Sequence, residues 1–217
     1  MKKGLILVFV LFVLTGCVKL NDITYEEVID KTLKQDISKT NTNHEGYKLY
    51  IPENMTLLGD LHGNDVLYSN GEKYYLYVDL VSFYNKKQNK YNVEKQDFVY
   101  SKDIDYDDLS GYVTLSNSKG GYLLEIMYNY AKIEVVTNDV NKAIANSLIV
   151  LKSIEYNYKI IDSMIGSNTL VYDSELFTLL GPSTKSDNFL SYMEEYGVYD
   201  EEDEDNDEDV IEISSTD

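Results

Sequence analysis

From Gly46 to Val136 the apolar residues of this chain mostly alternate with polar ones, and on either side of that block they recur every three to four residues. A period of two marks a strand with one buried face; a period near 3.6 marks a helix with one buried stripe. A chain ordered as helix, long alternating block, helix has one economical way to bury its apolar faces. It forms an antiparallel sheet with helices laid over it, the α+β class.

The elements can be placed in turn. Thr24-Tyr25-Glu26-Glu27 is a capping box, with Thr24 as N-cap and Glu27 reaching back to its amide. Tyr25, Ile29, Leu33 and Ile37 then form one stripe on a helix of about four turns. Ser38 to Glu45 is polar and reads as a loop. Tyr47 to Ile51 is a strand ended by Pro52, and Asp65 to Tyr68 and Lys73 to Tyr84 are two more. Asn70-Gly71 joins those two, and such a pair is the strongest short hairpin signal because both residues tolerate positive φ. In the second run Tyr74, Leu76, Val78 and Leu80 share one face, leaving Tyr75, Tyr77 and Asp79 on the other.

Asn85 to Lys95 is a polar loop and Asp97 to Tyr100 a short strand. Gly111 to Ser116 and Tyr122 to Tyr128 make a hairpin closed near Gly120-Gly121. The alternation slips at Asn129 to Lys132, so Ile133 to Val136 is either a new strand or a continuation past a bulge. Asn138 or Thr137 caps a second helix, with Val140, Ile144, Leu148 and Leu151 along one side, ending between Ser153 and Tyr156. Ile160 to Tyr172 has ambiguous periodicity and fits one further strand. Glu175 to Leu180 and Phe189 to Tyr196 read as short helices. The expected fold is an antiparallel sheet of about five to seven strands with helices over it, small C-terminal helices and a disordered acidic tail.

The first residues say something different. Lys2 and Lys3 precede an apolar run from Gly4 to Leu14, and Leu14-Thr15-Gly16-Cys17 closes it. That order describes a secretory leader, and the run is too short for the ~20 residues of a spanning helix. The LTGC sequence resembles the lipobox of bacterial lipoproteins. The resemblance implies cleavage before Cys17 and a diacylglyceryl group on its thiol, with the rest of the chain outside the cytoplasm at the cell membrane. Cys17 is the only cysteine, so the chain cannot form a disulfide with itself.

The order GYKLYIP, tyrosine-rich hairpin, YLLEIMYNYAKIEVV and a helix ending in LIVLKSIEYN, over residues 46 to 157, is similar to small exported proteins of the PsbP-like type. It also resembles uncharacterised lipoproteins of bacteria with AT-rich genomes. Families of that type imply binding or assembly roles rather than catalysis. On this reading residues 1–16 are leader, 17–23 lipidated cysteine and tether, 24–157 an α+β domain, 158–197 an extension packing on it, and 198–217 an acidic tail.

Charge narrows the partners. The formal net charge is −19, with 13 acidic and no basic side chains from Glu194 to Asp217. Such a chain does not hold nucleic acid by phosphate neutralisation, nor does it adhere by charge to anionic lipid. Membrane attachment therefore falls to the anchor. The tail reads as a solvated polyanion rather than a cation site.

Candidate chemistry is sparse. The chain has two histidines, and Asp60-Leu61-His62-Gly63-Asn64 reads as a turn rather than an acid–histidine site. Asp103, Asp105 and Asp107 have the spacing that opens a calcium loop, but Asp108 and Thr114 stand where glycine and glutamate are needed. That segment is expected to be a solvated loop. No cofactor or metal signature appears, and no catalytic residue is assigned. Tyrosine numbers 21 against no tryptophan, and Tyr75 and Tyr77, sharing a face with Asp79, are the expected exposed interaction surface. The resulting expectation is a non-catalytic, membrane-anchored binding module meeting an envelope protein or ligand. The rival is an enzyme or small-ligand carrier whose site is assembled from residues distant in sequence.

Overall fold

The computed structural model describes residues 23–37, 39–61, 64–88 and 90–167, all within the unit Met1–Pro182. Helix α1 (Tyr25–Lys34) starts at the predicted capping box. The Thr24 hydroxyl accepts from the Glu27 amide at 3.2 Å, and the Glu27 carboxylate accepts from the Thr24 amide at 3.1 Å. The helix buries Val28, Ile29 and Leu33 and stops before Ile37, because the backbone is already extended at Gln35.

The strands are β1 (Thr42–His44), β2 (Tyr47–Leu49), β3 (Thr56–Leu61), β4 (Asn64–Ser69), β5 (Glu72–Val78), β6 (Tyr100–Tyr106), β7 (Leu109–Ser118), β8 (Gly121–Tyr128), β9 (Ala131–Thr137) and β10 (Glu155–Tyr156). They form two antiparallel sheets, a small one ordered β1-β2-β10 and a seven-stranded one ordered β3-β4-β5-β9-β8-β7-β6. Helix α2 (Leu80–Tyr84) follows β5, α3 (Val140–Lys152) follows β9, and α4 (Tyr158–Gly166) follows β10. The fold is α+β, as expected.

Helices α1 and α3 pack together, with α3 lying on β8 and β9. Between helices and sheet sits the main core, including Tyr74 and Leu76 of β5, Leu124 and Ile126 of β8, and Ile133 and Val135 of β9. Each such buried aliphatic side chain contributes roughly 1.5–3 kcal/mol. Polar ties fasten the helices at both ends. The Lys102 ammonium, on β6, meets Glu26 at 2.9 Å and Asp30 at 3.1 Å on α1. The Lys152 ammonium donates to the Leu33 and Gln35 carbonyls, taking up acceptors that the end of α1 leaves open.

Tight turns set the registers. Asn70 (φ 52°) and Gly71 (φ 87°) close β4–β5 as the dipeptide predicted. Asn129 (φ 52°) and Tyr130 (φ 57°) close β8–β9 in the same left-handed region, so Ala131 begins a new strand rather than continuing past a bulge. The Asn129 side chain donates to the Leu151 and Ile154 carbonyls, tying that turn to the end of α3.

Several expectations are corrected. Residues 103–106 are strand rather than loop: Lys102 and Ile104 face the helices, so Asp103 and Asp105 alternate to the opposite side. Only Asp107 and Asp108 form a turn, at φ 55° and 60°. The run ending at Tyr84 is strand only to Val78, because Asp79 caps α2 through the Ser82 amide at 2.7 Å. The cap of α3 is Asp139, one residue beyond Asn138 and two beyond Thr137, the two expected caps. Ile160 begins no strand: Asn157 caps α4, and Ile161 and Met164, three apart, lie over Gly46. Three strands were not expected at all: the polar β1, the irregular β3, whose register shifts between Leu57 and Gly59, and the two-residue β10. The leader, the tail and the two C-terminal helices expected at 175–180 and 189–196 lie outside the described residues.

Candidate functional site

The sheet face turned away from α1 and α3 carries the chemistry. Residues directly opposite across antiparallel strands share a face, so the registers can be read as rows. One row runs Thr114, Glu125, Glu134, Tyr75, Val66 across β7, β8, β9, β5 and β4. Beside it runs Asp103, Tyr112, Met127, Lys132, Tyr77, from β6 to β5. The segment between α2 and β6 covers much of the second row, packing Tyr91, Val93 and Phe98 on Tyr112, Met127 and Tyr77. The Val93 amide donates to Asp103 at 3.0 Å, and Gln88 ties the same segment to the Ser110 amide and the Tyr130 hydroxyl.

Two carboxylates are therefore buried side by side, Glu125 at 3% exposure and Glu134 at 1%. The Lys132 ammonium is 2.8 Å from Glu134 and 3.9 Å from Glu125. The Tyr112 hydroxyl donates to Glu125 at 2.5 Å. Burial pushes the Tyr112 phenol well above its ordinary value, and the charge of Glu125 adds to that. The phenol is thus held as a donor. One ammonium between two carboxylates, with a neutral phenol on one of them, keeps charge inside the fold. Among the described residues, no three His, Cys, Asp or Glu side chains come together as a metal cluster.

Tyr75 and Tyr77 are half-buried rather than exposed. The inference from Asp79 fails because that carboxylate is itself buried, accepting from both the Ser82 amide and hydroxyl as the cap of α2. Tyr75 does share its face with Tyr77, as alternation requires. The uncovered side of this face belongs to β4, where Tyr68 stands 41% exposed, with Leu58 of β3 exposed nearby.

A second polar group lies between the two sheets. His44 of β1 stacks on Tyr47 of β2, ring centroids 4.7 Å apart and planes 11° apart. The His44 Nε2 atom is 3.2 Å from Asp65 Oδ2, and the Tyr47 hydroxyl donates to the same oxygen at 3.1 Å. Asp65, on β4, is buried, while His44 is 24% exposed. A shallow groove of about 430 Å³ opens elsewhere, beyond α1, lined by Ile37, Tyr50, Pro52 and Ile149 with Asp36, Lys39 and Glu53.

Cys17 and His62 lie outside the described residues, as does the acidic tail. The buried acids had a signal that alternation alone did not isolate. Glu125 and Glu134 each interrupt an apolar strand, in YLLEIMY and AKIEVV. An acid in the middle of such a run is either exposed or deliberately partnered, and here it is partnered. No helix among the described residues is long and apolar enough to cross a membrane. Comparison with known protein families, with curated proteins and with solved structures finds no match.

Proposed function

We propose that this chain is a lipid-anchored extracytoplasmic binding module, non-catalytic, held at the cell membrane through Cys17 and meeting an envelope protein or ligand. The observation that carries the reading is the LTGC sequence set seven residues before the capped start of α1. Fully extended, that tether reaches roughly 25 Å. A body so tethered works at the membrane surface. The uncovered strip around Tyr68, Tyr75 and Leu58 supplies a contact area of aromatic and apolar character, which suits a protein partner. The enclosed acids beside it favour a rigid sheet over a reaction site.

The test is the mass and membrane partition of the protein from its native host, beside a Cys17→Ala variant. The reading expects wild type to lose residues 1–16, gain a diacylglyceryl mass and fractionate with membrane, and the variant to do none of these. A soluble, unmodified wild type would overturn it.

One arrangement favours the rival reading of a carrier or enzyme. The partly accessible His44 ring, with Nε2 3.2 Å from the buried Asp65 carboxylate, brings a histidine and an acid together from distant residues. Thermal-shift screening of small ligands on wild type and His44→Ala separates the two. A ligand whose stabilisation is lost in the variant moves the assignment to the rival.

A further inference from the structure

Tyr84 ends α2 and Tyr158 begins α4, so the two rings come from separate elements. They stack with centroids 5.0 Å apart and planes 15° apart. The Tyr84 hydroxyl donates to Asp162 Oδ1 at 2.7 Å, from the next turn of α4. Hydrogen bonding to Asp162, and then to the Tyr158 phenol, raises the Tyr84 pKa above its ordinary value. The stacking sets the two rings face to face across the contact between α2 and α4. Tyr158 is 49% exposed, so the pair is open to a reagent from solvent.

Other tyrosine–tyrosine contacts among the described residues differ in geometry. Tyr25–Tyr100, Tyr91–Tyr112 and Tyr130–Tyr156 meet edge to face, and Tyr47–Tyr156 is tilted at 45° with centroids 6.5 Å apart. Among the tyrosine pairs of the described residues, Tyr84–Tyr158 combines face-to-face stacking with a carboxylate acceptor on one phenol. The chain's single cysteine gives it no disulfide of its own, so a bond between these rings would staple the fold by a different chemistry.

We propose that Tyr84 and Tyr158 form an oxidative cross-linking site, joined by a carbon–carbon bond between ring carbons ortho to the phenol oxygens. The oxidant is a peroxide acting through a one-electron haem peroxidase. Each phenol gives up one electron and one proton, the Tyr84 proton passing to Asp162. The two ring radicals couple, and the two ortho hydrogens move to the oxygens as aromaticity returns. One hydrogen peroxide takes up the two electrons and two protons and leaves as two waters. The bond fixes α4 to α2 and so holds the start of the C-terminal extension against the domain. This goes beyond the binding-module reading and does not depend on it.

The test treats dilute full-length protein with a haem peroxidase and limiting hydrogen peroxide. It reads intact mass, dityrosine fluorescence and cross-linked peptides. The expected product is a monomer lighter by two hydrogens, with a peptide joining Tyr84 to Tyr158. Tyr84→Phe and Tyr158→Phe, which keep the stacked rings, each abolish that peptide. Tyr68→Phe, which removes another exposed phenol, leaves it in place, and Asp162→Asn slows its formation. Circular dichroism on each variant checks that the fold is retained. Cross-links confined to other tyrosines, or formed only between two chains, would overturn the proposal.

Discussion

Glu125 of β8 stands directly opposite Glu134 of β9, both buried, and the Lys132 ammonium reaches both carboxylates. Two like charges in facing positions repel, so this register is tolerable only with a cation between them. Slipping β9 by one residue would turn Lys132 and Glu134 together into the apolar helix side and leave Glu125 without its cation. The cluster therefore selects one register as well as contributing to stability.

Replacing Lys132 with Met should cost about 3–5 kcal/mol, because it leaves buried carboxylates without their ammonium. Combining Lys132→Met with Glu125→Gln and Glu134→Gln should recover part of that loss. Urea denaturation midpoints of the two variants would check it, and an unaltered midpoint for Lys132→Met alone would refute the electrostatic account.

The half-buried phenols predict alkaline instability. Burial, and then the charge of Asp79, push Tyr77 from 10.0 up to about 12. The unfolded chain loses this proton near pH 10 while the folded one keeps it to about 12, so over that window the unfolded state binds fewer protons. The stability from the neutral phenol is complete below pH 10 and falls as pH rises towards 12. Tyr77→Phe should flatten the decline of Tm across this window. Equal slopes for variant and wild type would contradict the assignment.

Gly111 of β7 has no room for a side chain. A methyl group there would lie 2.2 Å from the Met127 carbonyl oxygen, on the backbone of the neighbouring strand. Backbone cannot swing aside as a side-chain tip can. Gly111→Ala should therefore destabilise by about 3 kcal/mol through forced separation of β7 and β8. Hydrogen exchange of the β7–β8 amides would localise the damage.

The cap of α1 offers a milder test. Thr24→Ala should cost about 1 kcal/mol by removing the hydroxyl that accepts from the Glu27 amide. Glu27→Ala removes the reciprocal bond, from the Thr24 amide, and because the two bonds order each other the double variant should lose less than the sum of the two in a double-mutant cycle. Strict additivity would mean that the reciprocal bonds do not form in solution.

Much of the fold was legible where local chemistry and tertiary demand agree. The Asn70-Gly71 hairpin, the Gly120-Gly121 turn, the Thr24 cap and the α3 stripe each carry their own signal. What escaped depended on distant partners. β1 has no apolar alternation, because it borders a three-stranded sheet of which β10 arrives more than a hundred residues later. β3 hides its period behind the irregularity between Leu57 and Gly59. Asp103 and Asp105 looked solvated, although an edge strand lets carboxylates face outward while Ile104 faces the core. At the site, alternation placed Tyr75 and Tyr77 on one face correctly, and the cover supplied by Tyr91, Val93 and Phe98 reduces the exposure of Tyr77.

The order of the large sheet has a kinetic consequence. β5 pairs with β9, and Tyr74 meets Val135 across sixty residues of intervening chain that first run out to the far edge at β6. The middle of the sheet is thus the last seam to close, and until residue 137 is available β5 has no neighbour on that side. Loop-closure entropy of this kind slows folding more than it weakens the finished structure. The meander β3-β4-β5 and the meander β6-β7-β8-β9 can therefore each close on their own before the two halves of the sheet meet.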